Sequence, residues 1–221
     1  MQVSLIPTTI SGAYKYSEIS QDALISLNFD DGFLSVFTRA FPILERHDLP
    51  ATIFVITDNI GKDNYAGLGH LEVLAEANWE IGSHTVSHAQ LTELSEAGAY
   101  GELSLSKKLL EDAGFCINTF AVPFGDANQK VWQYVKEHYR FSRDVSDALN
   151  PRPFDHHELK CFSLLATTEI KDVRDRIDKC IEEGAWLILG FHQIGETGTY
   201  NNSVKFLEEV CEYIKLKEGE K

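Results

Sequence analysis

The sequence predicts an α/β protein: a distorted or incomplete (β/α)7 barrel whose parallel strands end at one face, with a doubly wound sheet as the rival arrangement. Three observations carry that prediction. Short apolar runs alternate with segments of helical period along almost the whole chain. Seven such runs can be counted. Polar residues able to do chemistry follow directly on four of them, as they do where parallel strands end at a site.

The first strand is expected over residues 23–29, "ALISLNF". A helix at 34–47 follows, with Leu34, Phe37, Phe41 and Leu44 on one stripe, and Pro42 should kink or weaken it. Strand 51–56, helix 68–78 and strand 79–83 continue the alternation. A long helix at 95–113 carries Leu103, Leu109 and Leu110 and stops at Gly114. Strand 119–122, helix 126–138 and strand 139–143 come next, then a polar, proline-containing loop, "SDALNPRPFDHHE", in which His156 and His157 should be exposed. Strand 160–164, helix 169–183, strand 185–191 and a closing helix at 202–216 complete the pattern. No repeat or linker interrupts it, so the chain reads as one domain over 1–221.

Bulk properties narrow the partners. With 20 basic and 34 acidic residues the formal charge is −14, which repels phosphate backbones and argues against nucleic-acid and anionic-membrane binding. A neutral or cationic substrate is easier to accommodate. No apolar run approaches the roughly 20 residues of a membrane span, and the opening "MQVSLIPTTISGAY" lacks the pattern of a signal peptide. Cys116, Cys161, Cys180 and Cys211 lack CxxC spacing and read mostly as buried free thiols. The expected location is therefore the cytoplasm, or outside the cell if an upstream signal has been trimmed.

The candidate chemistry lies after the strands: Asp30 and Asp31 in "LNFDDG", His84 and His88 in "WEIGSHTVSH", Pro123, Phe124, Gly125 and Asp126 in "TFAVPFGD", and His192 in "WLILGFHQ". Neighbouring residues on a strand face opposite ways, so the first strand must end by Asp30 if both acids are to face the mouth. The i, i+4 spacing of His84 and His88 would put two imidazoles on one side of a helical turn, able to share a metal. One acid of the pair could supply a third ligand and leave the other free.

In their order these motifs resemble the polysaccharide deacetylases of carbohydrate esterase family four. The family's F-D-D-G, H-[ST]-x-x-H, R-x-P-[FY]-G, D-x-x-D-W and L-x-L-H segments are similar to "FDDG" at 29–32, "HTVSH" at 84–88, "AVPFG" at 121–125, "DVSDA" at 144–148 and "LGFH" at 189–192. The likeness covers about residues 20 to 215. It implies a distorted barrel that hydrolyses acetyl groups on N- or O-acetylated carbohydrate by attack of a metal-bound water. Asp31, His84 and His88 would hold one divalent ion, zinc first, with cobalt, nickel or manganese also suited. Asp30 would be the general base and His192 the general acid. Pro123, Phe124, Gly125, Phe191 and Arg143 would form the substrate-binding set, with the N–H near Phe124 aiding the oxyanion.

Two departures stand out. Ala121 replaces the family arginine that tethers the base, and Arg143, from the next strand, is the candidate substitute. Ala148 stands where a tryptophan usually walls the acetyl pocket, so Asp144 and Asp147 are given no catalytic role. Two other readings stay open: a hydrolase of small amides or ureides, similar to allantoinase-like relatives, and a non-catalytic carbohydrate-binding relative.

Overall fold

The computed structural model describes residues 3–5, 22–195 and 197–219. The strands of its main sheet are β1 (Val3–Leu5), β2 (Ala23–Phe29), β3 (Thr52–Val55), β4 (Glu80–Ser83), β5 (Thr119–Ala121), β6 (Phe141–Arg143), β7 (Phe162–Ser163) and β8 (Trp186–Phe191). All pair in parallel; the order is β6-β5-β4-β3-β2-β8-β7, with β1 beside the start of β2. The seven strands β2 to β8 form a curled sheet. A parallel bridge between Arg143 and Leu159, just before β7, ties its two edges together and makes it a distorted (β/α)7 barrel. A doubly wound sheet would leave those edges apart. The short strand β1 has too few residues to show a period, and the sequence pattern did not mark it.

Helices α1 (Phe41–Arg46), α2 (Leu68–Glu76), α3 (Glu96–Asp112), α4 (Gln129–His138), α5 (Ile170–Glu183) and α6 (Val204–Gly219) follow the predicted alternation. Pro42 leaves its mark as an irregular turn. Residues Val36–Ala40 are π-helical, with the Phe41 N–H reaching back to Val36 O, before α1 resumes with Pro42 in its first turn. Ser95 Oγ caps α3, and the Asn128 side chain caps α4, which moves that helix start past the predicted Asp126.

The pleat of β2 sorts its residues. Ala23, Ile25, Leu27 and Phe29 belong to the large core shared with the helices, whereas Leu24 joins Trp186, Ile188, Cys161, Phe141 and Leu159 in a small cluster inside the curl. Above Leu24 on that inner row come Ser26, which accepts a hydrogen bond from Trp186 Nε1 at 3.0 Å, then Asn28, then Asp30. The inner row therefore turns polar towards the mouth. Cys161, Cys180 and Cys211 are buried free thiols, and Cys116 is an exposed one. His156 and His157 are half-buried, a correction to their expected exposure, because the His156 ring stacks on Phe141 at 5.2 Å. Among the described residues no helix is long and apolar enough to cross a membrane.

Candidate active site

Register decides what meets at the mouth. Phe29 and Phe191 are partners in the β2–β8 ladder, so the two strands end level, and the Asp30 N–H donates to Phe191 O at 2.9 Å. Asp30 and His192 thus emerge side by side, with His192 Nε2 4.0 Å from Asp30 Oδ2. Beyond Asp30 the backbone enters the left-handed region at Asp31 (φ 70°) and Gly32 (φ 78°). That reversal ends the pleat, so Asp31 turns to the same mouth instead of the opposite face.

The neighbouring strands deliver the histidines. His84 directly follows β4, its N–H donating to Val55 O at 2.9 Å, and its Nδ1 lies 2.8 Å from Ala121 O. A carbonyl can only accept, so Nδ1 carries the proton and Nε2 keeps its lone pair for a cation. Residues 84–88 are not helical, contrary to the expectation from their spacing. Thr85 (φ 69°) and His88 (φ 61°) are left-handed, and this tight turn, rather than an α-helical one, swings the second ring back. The ring centroids are 4.8 Å apart.

Asp31 Oδ1 lies 3.5 Å from His84 Nε2 and 3.4 Å from His88 Nε2. Two ligand atoms on one tetrahedral ion with bonds of about 2.0–2.1 Å are roughly 3.3 Å apart, so the spacing fits a shared cation. The Asp31 Oδ1 atom is buried with no hydrogen-bond partner, a cost that a bound cation would remove. Burial, with the neighbouring Asp30 charge, pushes the Asp31 carboxyl up to about 7. Burial pushes the His84 imidazole down to about 3, and lowers His88 as well. The donor set is thus two neutral imidazoles and one acid that a cation would ionise. Metal binding should therefore strengthen as pH rises towards about 7, where Asp31 gives up its proton. Calorimetry in buffers of differing ionisation heat should read about one proton released per zinc at pH 6, below the range in which a metal-bound water ionises. No proton release at pH 6 would mean that Asp31 is not the titrating ligand.

Asp30 has a different environment. It is 4% exposed, and the Arg143 guanidinium donates to its Oδ1 through a short charge-assisted bond. Arg143 is fully buried, donates through Nε to Asn28 Oδ1 at 3.1 Å and stacks over the Phe54 ring at 4.8 Å. Burial works to raise the Asp30 carboxyl, yet Arg143, with His84 and His192, holds it below the ordinary carboxylate value. Burial lowers His192 too, and its Nδ1 is buried with no partner among the described residues.

Three members of the substrate-binding set are buried. Arg143 lies beneath Asp30 rather than on an exposed surface, and Phe191 is wholly buried, stacked on Phe29 at 5.2 Å. Neither presents side-chain surface to a ligand. Pro123 is also buried. Phe124, by contrast, is 61% exposed, has φ 58°, and its ring meets His88 edge-on at 4.4 Å. Gly125 (φ 67°) passes so close to Val145 that a Cβ there would collide with Cγ2. Asp144 bonds Ser146 and Lys160, and Asp147 pairs with Arg176. The sequence reading did not single out Asn28, although a polar residue two before Asp30 in an apolar strand was a usable signal. It also passed over Tyr200, whose ring lies 4.9 Å from that of His192. Beside the site a groove of about 520 Å³ is lined by Phe33, Ser35, Thr38, Asn64, Tyr65 and Gln193 among others. It begins where both the Asp31-Gly32 turn and His192 leave off.

Comparison with known proteins bears on the family and the fold. The family model for polysaccharide deacetylase matches residues 18–140, more than half of the chain. A poly-beta-1,6-N-acetyl-D-glucosamine N-deacetylase of Staphylococcus aureus (strain MSSA476) is 28% identical over 149 residues, covering 59% of this chain and 51% of its own. The chain spans about half the length, or less, of the first curated relatives it matches. Among solved structures, the Xyl-CE4 domain of a multidomain xylanase from the hindgut metagenome of Trinervitermes trinervoides has a TM-score of 0.65 at 20% identity, covering 89% of this chain and 85% of that one. The Streptococcus pyogenes deacetylase PplD in complex with acetate has a TM-score of 0.60 at 23% identity, with 62% of each chain covered. At these identities the two structures speak to the fold.

Proposed function

The chain belongs to the polysaccharide deacetylase family, and from that premise we propose that it is a metal-dependent hydrolase removing acetyl groups from N- or O-acetylated carbohydrate. The observation that carries this reading is the meeting of Asp31, His84 and His88 around one point, beside an acid held by an arginine and a histidine 4.0 Å from that acid. A divalent ion held by Asp31, His84 and His88 would polarise the acetyl carbonyl and make water acidic enough to attack near neutral pH.

The remaining work falls to side chains of this chain. Asp30, kept anionic by Arg143, accepts a proton from the attacking water as the new C–O bond forms. His192, in its protonated form, then gives a proton to the departing sugar amine or alcohol as the bond to the acetyl carbon breaks. Acetate and the free amine or hydroxyl are the products. Phe124 supplies an exposed apolar wall next to His88, and its backbone N–H assists the oxyanion, the Gly125 and Asp126 N–H groups being taken by Val122 O and Pro123 O. The amides and hydroxyls of the groove, which also holds Arg39 and Asp63, suit with the stacked pair Phe33 and Tyr65 (5.0 Å) the hydroxyl-rich faces of a sugar chain. Two imidazoles and a carboxylate accept zinc, cobalt, nickel or manganese.

The test is acetate release from N-acetylglucosamine oligomers, acetylxylan and small amides, with and without chelator. Release from an acetylated carbohydrate, lost on chelation and restored by added zinc, is the expected result. Turnover that ignores chelator would overturn the metal mechanism, and turnover of small amides alone would overturn the substrate class.

A further inference from the structure

Resting on the metal-site reading above, we propose that Glu102, on α3, is the positioning residue that holds the 84–88 turn in the shape that lets His88 reach the cation. His84 is placed by its strand and by its bond to Ala121 O, as described. His88 comes after the chain has left β4, is only partly buried, and its ring rests on the exposed Phe124. Its position depends on the turn beneath it. That turn has left-handed non-glycine residues at both ends, Thr85 and His88, a conformation that persists only where its surroundings enforce it.

The enforcement can be traced bond by bond. Glu102 Oε2 accepts the Val86 N–H at 2.8 Å and the Ser87 N–H at 2.9 Å, and Glu102 Oε1 accepts the Ser87 hydroxyl at 2.8 Å. Thr85 Oγ1 accepts the next N–H, that of His88, at 2.9 Å. On the other side the Thr57 and Asp58 N–H groups donate to Thr85 O and Val86 O at 3.2 and 3.0 Å. Consecutive N–H groups converging on one carboxylate make a concave anion-binding backbone, and here the anion is a side chain of the same molecule. These are charge-assisted bonds, stronger than neutral ones, and both oxygens of Glu102 are used. Glu102 touches neither the three ligand atoms nor the acid–base pair; its effect runs through the backbone that presents His88.

The experiment measures zinc affinity by competition with a chromophoric chelator for wild type, Glu102→Ala and Glu102→Gln, alongside the metal-free melting temperature of each. Glu102→Ala should bind zinc ~10–100-fold more weakly, the range typical when a residue supporting a ligand is lost. Glu102→Gln, whose amide oxygen can still accept both N–H groups, should stay within a few-fold of wild type. Metal-free melting should be nearly the same in all three. Saturating zinc should return the turnover number of Glu102→Ala towards wild type. An affinity in Glu102→Ala within twofold of wild type would overturn the assignment, as would equal losses in both variants accompanied by a lower metal-free melting temperature. A wild-type chain that binds no zinc would instead overturn the metal reading itself, and this assignment with it.

Discussion

Asp30→Asn is expected to retain one zinc per chain while losing acetate release by ~10²–10⁴-fold, the span that a positioned general base contributes. The substitution is nearly isosteric. Its amide oxygen can still accept from Arg143 Nη2, so the geometry beneath the site should survive, but the group can no longer take a proton from water. The adjacent Asp31→Ala should behave in the opposite order: zinc content falls first, and activity falls because of it. Two neighbouring acids separate this way because their surroundings differ. Asp30 is fixed on an arginine and held below its ordinary value, whereas Asp31 faces two imidazoles with an unpartnered oxygen and is pushed up to about 7. Metal analysis together with acetate release on the purified variants checks the division. Full turnover in Asp30→Asn would remove it from the base role, and loss of zinc in that variant would show that both acids are ligands.

The parts of this arrangement that could be read from sequence are those with a local signal. Seven apolar runs with helices between them predicted the curled parallel sheet, and the placement of Asp30, His84 and His192 just after strands reflected where parallel strands end. What was hidden depended on partners far along the chain. That β2 lies between β3 and β8, and that Phe29 is level with Phe191, is a matter of strand order and register, which no local pattern encodes. The spacing of His84 and His88 suits a helical turn, and only the left-handed φ values of Thr85 and His88 reveal a different route to the same proximity. Glu102 is 15 residues from Ser87 and bonds its backbone, a contact with no sequence signature. Arg143 was a candidate both for the missing tether and for the substrate wall; its complete burial beneath Asp30 separates those roles.

Arg143→Ala should be the most destabilising single change at the site, by about 3–5 kcal/mol, because it strands a buried carboxylate without its cation. That is a large share of the ~5–15 kcal/mol that holds a typical protein folded. The pH dependence has a definite sign. In the wild type the Asp30 carboxyl is held below the ordinary aspartate value of 3.8, so it adds stability that is present above that value and lost as pH falls through the folded one. With Arg143 gone, burial dominates and raises the carboxyl instead. The folded variant then favours the protonated acid, and its deficit relative to wild type should be smaller at pH 5 than at pH 8. Urea unfolding at the two values reads this directly. The double variant Arg143→Ala/Asp30→Asn should recover part of the loss, since removing both charges leaves no unpaired ion in the interior. Additive losses in the double variant, or a deficit independent of pH, would mean that Arg143 acts through its packing on Phe54 and its bond to Asn28 rather than through the charge on Asp30.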